Sequence, residues 1–365
     1  VGRPDRIPHN APHVVEEDVA EVVRVLRSGW IAPGPETAAL ERAVAGHFGG
    51  GTAVCASSGT TALFLALVGL DVPPGAWVAV PTYSCVALLD AVRLAGARPL
   101  VVDVDADTLT MCPRSLATAA HTLGAPAAAL VVHTFGHTAP LPELAEVAGQ
   151  LVEDCCHSLG TRGPYGLHGT FGRAAVLSLY ATKPVTGGMG GAVWSAHDDV
   201  VARIRAFVNR TGTGSRWLPI DVRLGDLPAA LARSQLGRLP ATIRRRAEIA
   251  ARYLAVCPPE LRPAGLPDPT RLVYRFSLRC PDRRYRDAAL AYFRRGGVSA
   301  DPLPQEELLL HHALGLNPAR FPNAVRAVGR TLSLPVHPEL SDAAVERVCE
   351  LLAGLPAGVF SPEPR

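Results

Sequence analysis

Lys183 is the only lysine among 365 residues; the other 35 of the 36 Lys and Arg side chains are arginine. Arginine stays protonated and is no nucleophile, whereas a lysine in a shielded site can lose its proton and form a Schiff base. The count alone fits equally well a lysine left on a solvated loop, the usual place for this residue type. Its neighbourhood favours chemistry. An apolar run at 174–179 precedes it, and Gly187-Gly188-Met189-Gly190-Gly191 follows, a turn suited to close backbone approach to a ligand. Asp154 lies 29 residues upstream, with His157 three residues further on. Ser57-Ser58-Gly59-Thr60-Thr61 places hydroxyls and free amides at the start of a helix. Such a turn suits a phosphate, although an ordinary N-cap reads the same way. Its spacing is neither that of a Walker loop nor that of a GxGxxG fingerprint. Cys155-Cys156-His157, beside Asp154, does not read as a metal site. Adjacent residues of an extended segment point to opposite sides, and no second cysteine pair has zinc spacing.

These residues need elements to hold them. Helical spacing covers 14–28 and 36–48, ended by three glycines at 49–51. A strand over 52–56 enters the Ser-Ser-Gly-Thr-Thr turn and a helix over 62–70. Further strands are expected at 76–80, 98–103, 127–134, 150–154, 174–179 and 192–195, with helices after Cys85 and at 142–149. Alternating strands and helices, with most strands continuous apolar runs, predict an α/β fold whose large domain has a mostly parallel sheet covered by helices on both faces. Ligands of such sheets gather at the carboxyl ends of the strands. Ser58, Tyr83, Asp154, His157 and Lys183 all fall at or just after such ends. Past about residue 197 the pattern changes to a helix at 200–207 and a polar loop at 211–216. A long helix at 227–254 follows, punctuated by Pro228 and Pro240. A strand at 272–278, a helix at 285–295, a strand opening at Val298 and a helix at 342–352 complete the chain. These predict a smaller C-terminal α/β domain, with the division at 1–226 and 227–365.

Composition narrows the class. Hydrophobic content of 48% and charged content of 19% indicate a globular protein. The net charge of +3 is dispersed, and the one arginine run, Arg244-Arg245-Arg246, reads as a solvated helix face and not as a nucleic-acid patch. No apolar run reaches the roughly 18 residues that span a bilayer, and residues 1–10 carry no apolar signal region, so a cytoplasmic protein without membrane contact is expected. The eight cysteines lack paired spacing and read as reduced core residues.

A lysine that holds pyridoxal 5′-phosphate as a Schiff base requires three further parts. A carboxylate must keep the ring nitrogen protonated, and Asp154 is the candidate. The ring hydroxyl wants a hydrogen-bond partner, which His157 can supply. The phosphate needs amides and hydroxyls: Gly59, Thr60 and Ser178 fit, with Ser58 nearby. Lys183 would then free the cofactor by exchange of its Schiff base and carry a proton as a free amine. A helix cap or surface acid remains the plain reading of Asp154, and a satisfied structural histidine that of His157.

Several passages together resemble one family. They are Leu26-Arg27-Ser28-Gly29-Trp30, Ser57-Ser58-Gly59-Thr60, Val80-Pro81-Thr82-Tyr83, Val102-Asp103-Val104-Asp105, residues 153–160, Gly169-Thr170-Phe171-Gly172, residues 178–191, Pro322-Asn323-Ala324 and Leu334-Pro335-Val336-His337-Pro338. Over nearly its whole length the chain resembles the DegT/StrS sugar aminotransferases, pyridoxal-phosphate enzymes of the aspartate-aminotransferase fold (fold type I). The resemblance implies Lys183 as the Schiff-base residue, Asp154 at the ring nitrogen and His157 at the ring hydroxyl, where glutamine is commoner. It implies phosphate contacts from Gly59, Thr60 and Ser178. It also implies a homodimer with both active sites at the subunit interface. The reaction implied moves an amino group from L-glutamate or L-glutamine to a ketosugar, usually nucleotide-linked, or to a cyclitol ketone. The family often serves antibiotic or surface-sugar pathways.

Three departures stand out. Cys85 occupies the turn where the family carries an aromatic over the cofactor ring, with Tyr83 as a nearby substitute. Aligned on Arg223, Asp221 replaces an asparagine with which the neighbouring subunit touches the phosphate, and an aspartate there repels unless protonated or turned away. Residues 300–306, with His311 and His312 beyond, replace a His-Tyr-Pro loop and leave open an unusual acceptor, with or without a nucleotide. Dehydration or elimination on the same cofactor is an alternative, although family dehydratases typically replace the lysine with histidine. A non-catalytic cofactor-binding regulator is another. An oxidoreductase lacks its glycine fingerprint here.

Overall fold

The computed structural model describes residues 6–356 apart from 210–219, 267, 269, 303 and 305. The polar loop expected at 211–216, and Leu303 and Gln305 of the 300–306 segment expected to meet the acceptor, lie outside the described residues.

The first half of the chain alternates as its apolar runs require. Helices α1 (Glu16–Ser28) and α2 (Pro35–His47) lead into β1 (Thr52–Ala56) and α3 (Gly59–Gly69). Then come β2 (Trp77–Pro81), α4 (Ala87–Leu94), β3 (Arg98–Val102), α5 (Pro113–Leu123), β4 (Ala128–Val132), α6 (Leu141–Ala148) and β5 (Leu151–Asp154). A two-strand hairpin, β6 (Arg162–Gly163) and β7 (Gly166–Leu167), precedes β8 (Ala174–Ser178), β9 (Gly191–Ser195) and α7 (Asp198–Val208). Seven strands form one sheet in the order β1-β9-β8-β5-β4-β2-β3. Only β9 runs against its neighbours.

Alternate residues of each strand enter opposite cores, as the period of two demands. Val54, Val80, Leu130, Val152 and Val176 pack with α3, apolar from Ala62 onward, and with α4. Cys55, Ala175 and Leu177 pack toward α2, and Ala79, Val131 and Leu151 toward α5 and α6. Both faces are therefore covered by helices, as expected.

The C-terminal part comprises α8 (Asp226–Gly237), α9 (Leu239–Val256), β10 (Phe276–Arg279), α10 (Arg283–Arg295), α11 (Leu310–Ala313), α12 (Pro322–Arg330), β11 (Thr331–Leu334) and α13 (Asp342–Ala353). β10 and β11 pair antiparallel. The single long helix expected at 227–254 is two helices, broken at Arg238 (φ −96°, ψ 2°). Each proline lies in the first turn of its helix, where its missing N–H has no partner to lose. Val298 opens no strand; it makes one isolated bridge to Ile7. Arg246 is not on a solvated face: it is buried, and its guanidinium donates to the carbonyls of Val273, Tyr274 and Val336 at 3.2, 3.3 and 2.6 Å. It shares the inner face of α9 with the buried Ile249, Ala250 and Tyr253.

The boundary expected after residue 226 coincides with the start of α8. The buried side chains of α8 nevertheless join the core of α2, β1 and β8. The C-terminal core starts at Ile249, so we propose the division of the two cores within α9. One clasp across the units uses two of the family-like passages. The backbone N–H groups of Asn323 and Ala324, in the first turn of α12, donate to the Asp103 carboxylate at 3.0 and 3.1 Å.

Candidate active site

The turn from β1 to α3 is an N-cap. Ser58 Oγ accepts from the Thr61 N–H at 3.1 Å, and Thr61 Oγ1 accepts from the Ser58 N–H at 2.8 Å. It is also a site of close approach. A Cβ on Gly59 would stand 3.0 Å from Ser178 Cβ, and one on Gly191 only 2.5 Å from the Ser58 carbonyl oxygen. Glycine at both positions lets the helix start, the end of β8 and the start of β9 meet in one cradle.

At the end of β5 two acids divide the work. Glu153 is fully buried and accepts from His133 Nε2 and the N–H groups of Gly169, Phe171 and Gly172, at 2.7 to 2.8 Å. It fixes the turn before β8. Asp154 lines the cavity, with one oxygen accepting from the Cys156 N–H at 2.9 Å.

Lys183 sits in the turn after β8, its N–H donating to the Tyr180 carbonyl at 2.9 Å. Its Nζ donates to the Tyr274 hydroxyl at 3.3 Å. The Tyr274 ring stacks on His157 at 4.1 Å between centroids, and Phe135 stacks less closely on His157 at 5.9 Å. A cavity of about 350 Å³ is lined by Ser58, Gly59, Thr60, Cys85, Asp154, His157, Ser178 and Lys183. A neighbouring cavity of about 330 Å³ shares Cys85, His157 and Lys183 and adds Tyr83, Phe135, Tyr274 and Arg275. Tyr83 is buried edge-on against Phe135 and lines the second cavity. Asp221 is not brought to either cavity. Its carboxylate accepts from Arg223 Nε and Nη2 at 3.0 and 2.8 Å, and both side chains are exposed.

Tyr274, Phe135 and Arg275 were not anticipated. Tyr274 lies in an apolar run that reads as strand, yet the strand begins only at Phe276. Phe135 carries the one signal that sequence could offer, its neighbour Gly136, because the turn is left-handed at both residues (φ +54° and +90°).

Burial drives Lys183 toward the neutral amine, but Tyr274, Cys156 and Asp154 outweigh it and hold the ammonium above its ordinary range. Burial likewise opposes ionisation of Tyr274, and Lys183 and Arg275 outweigh it, so the phenol is held below its usual range. Burial, with Lys183 and Arg275 alongside, keeps His157 a neutral imidazole. Burial pushes the Cys155 and Cys156 thiols up, so neither is a nucleophile or a ready metal ligand. All eight cysteines are free, five of them buried. Among the described residues no group of three His, Cys, Asp or Glu is placed to hold a metal ion, and no helix is long and apolar enough to cross a membrane.

Pyridoxal 5′-phosphate fits these residues. His157 Nδ1 is buried without a hydrogen-bond partner beside the cavity, a cost that a bound polar group removes. The glycine cradle at Gly59 and Ser178 supplies the close backbone approach that a phosphate needs.

Residues 12–353 match the model of the DegT/DnrJ/EryC1/StrS aminotransferase family. The chain belongs to this family. It is an aminotransferase, and its cofactor is pyridoxal 5′-phosphate. Among its relatives, the dTDP-4-dehydro-2,3,6-trideoxy-D-glucose 4-aminotransferase of Saccharopolyspora spinosa is 32% identical over 93% of this chain and 94% of that protein. The Spr1654 protein of Streptococcus pneumoniae, solved in its PMP form, superposes with a TM-score of 0.86 at 26% identity, over 96% of this chain and 97% of that one. DesV of S. venezuelae, solved with a ketimine intermediate, gives a TM-score of 0.83 at 29% identity, over 94% and 95%.

Proposed function

We propose that this aminotransferase moves an amino group from L-glutamate or L-glutamine to a nucleotide-linked ketosugar, with Lys183 as its Schiff-base residue. The observation that carries the site assignment is Lys183 on one cavity with Asp154, the unpartnered His157 Nδ1 and the glycine cradle. The name of the 32% identical relative supports the acceptor class.

Bound in this cavity, the cofactor supplies an electron sink that lets a substrate carbon give up a proton. The residues supply position and proton control. Asp154, at the end of β5, keeps the ring nitrogen protonated. His157, neutral, donates from Nδ1 to the ring hydroxyl. The amides of Gly59 and Thr60 and the hydroxyls of Ser58 and Ser178 take the phosphate. Lys183 would anchor the cofactor and, as a free amine, would carry the proton that the substrate carbon gives up. Tyr274 holds the lysine amine and braces His157 from one side. Cys85, small and exposed, leaves one wall of the cavity open where an aromatic would close it.

We further propose a homodimer. Tyr180 and Met189 line the cavity yet are 50% and 56% exposed, and the apolar Trp30, Ile31 and Val86 are also exposed. A second copy laid over the cavity mouth would bury them.

The test is label transfer. The cofactor-loaded enzyme is incubated with a nucleotide-linked 4-ketosugar and either donor labelled with ¹⁵N at the α-amino group. The expected product is an aminosugar carrying the label in its mass spectrum. A ketosugar recovered unchanged with both donors overturns the acceptor assignment, and a dehydrated sugar assigns the alternative reaction.

A further inference from the structure

Behind Phe135 lies a third cavity, of about 290 Å³, whose chemistry differs from that of the active site. It lies between the loop after β3, the turn after β4, residues 259–264, β10 and α12. Arg262, Arg271, Arg275, Arg279, Arg326 and Arg330 line it. The only carboxylates on its wall are Asp107 and Glu260, and Asp107 is taken by Arg279. Among the described residues none of the other five arginines has a carboxylate within 4 Å, although Asp268 acts on the charge of Arg271 and Asp301 on that of Arg275. Arg262 and Arg330 donate from Nε to the carbonyls of Cys257 and Cys280, at 3.3 and 2.9 Å. Arg275 donates to the His9 ring at 3.1 Å.

Arg271 is the deepest, at 5% exposure. It donates to the carbonyls of Phe135 and Gly265 at 3.1 Å each, and its Nε has no partner. Two left-handed glycines hold it: a Cβ on Gly265 would meet its Nη1 at 2.9 Å, and one on Gly136 would stand 3.2 Å from its Nε. Burial draws its pKa down to about 10, and Asp268 only partly offsets this.

In a chain with 35 arginines, a groove with some arginine is unremarkable in itself. Elsewhere several arginines find carboxylates, as Arg205 takes Glu41, Arg238 takes Asp18 and Arg252 takes Glu346, each at 2.6 Å, while the buried Arg246 is met by carbonyls. Here six converge on one concavity and only Arg279 has an ion pair. Guanidinium forks converging with few counter-ions suit a multiply charged oxyanion, above all phosphate, which they bind bidentately.

We propose that this cavity binds a diphosphate group, at a site distinct from the phosphate cradle beside Lys183. The diphosphate belongs either to a separate metabolite or to a nucleotide-linked acceptor reaching past Phe135 and Arg275, which also line the second of the active-site cavities. Only that second source rests on the proposed function.

The test is calorimetric titration of the cofactor-saturated protein with inorganic diphosphate. One saturable site per chain is expected, weakened by high salt and weakened about tenfold or more in R262Q/R326Q. Both of these arginines are exposed and outside the active-site cavities, so fold and cofactor absorption should be unchanged. R271Q should weaken binding further; if it does not fold, the outer pair still decides. No saturable heat, or equal affinity in the double variant, overturns the proposal. Added diphosphate that competes with the ketosugar in turnover assigns the group to the acceptor, and non-competitive inhibition assigns it to a separate ligand.

Discussion

Lys183 is held as an ammonium by its neighbours, and this has a kinetic consequence. Attachment to an aldehyde needs the free amine, whose share rises tenfold per pH unit below the pKa. Cofactor-free protein should therefore regain its visible absorption about tenfold faster for each unit between pH 6 and 8. Y274F removes one of the groups that holds the ammonium, so its rate at a given pH should be higher; a lower rate would give the hydroxyl a direct role in attachment. K183A should lose the band and essentially all turnover. D154A should cut turnover by roughly a hundredfold or more while keeping more of its cofactor. D221N should leave cofactor affinity within about twofold, because Asp221 is tied to Arg223, an exposed pair of small worth. A clear tightening would put Asp221 beside the phosphate. At this scale the sequence was legible to the extent that Lys183, Asp154 and His157, singled out by residue type, line one cavity. Tyr274 was hidden because an aromatic in an apolar run looks like strand core.

Elements hold these residues through buried acids that take no part in the reaction. Burial opposes ionisation of Glu153, but His133 and the amides of Gly172 and Gly169 outweigh it and hold its carboxyl below the ordinary range. A depressed carboxyl stabilises fully above the ordinary value of about 4.3 and loses that contribution as pH falls through the folded-state value. E153Q should thus cost about 3 kcal/mol at pH 7 in denaturant titration, with the gap to wild type closing below about pH 4. D103A unclasps α12 and should cost about 1 kcal/mol. Strands β1 to β5 were legible because they are short apolar runs bounded by turns. Helix α5 was not, since only Leu116 on it is buried. β11 was not, since its four residues gain strand character through Asp301 and through β10, more than fifty positions away in the chain. The break between α8 and α9 follows from two prolines that each start a helix, a pattern that a continuous helical spacing conceals.

Across the whole molecule, sequence spacing shows alternation but not order. That β9 inserts antiparallel between β1 and β8 depends on the glycine turn reversing the chain at Lys183, so the turn that positions the lysine also sets the sheet. The exposed Trp30, Ile31 and Met189 give the proposed dimer its own test. Light scattering should report twice the chain mass, and M189D/I31D should shift the protein to monomer with loss of turnover. A wild-type monomer with full activity would remove the second subunit from the site. The central claim, a Lys183-bound cofactor that exchanges amino groups, is tested most directly by visible absorption. The purified protein is loaded with pyridoxal 5′-phosphate and scanned before and after L-glutamate, then L-glutamine. A band that is absent in K183A and is converted to the pyridoxamine form by either donor is the predicted result. No band, or a band that forms equally in K183A, would contradict it.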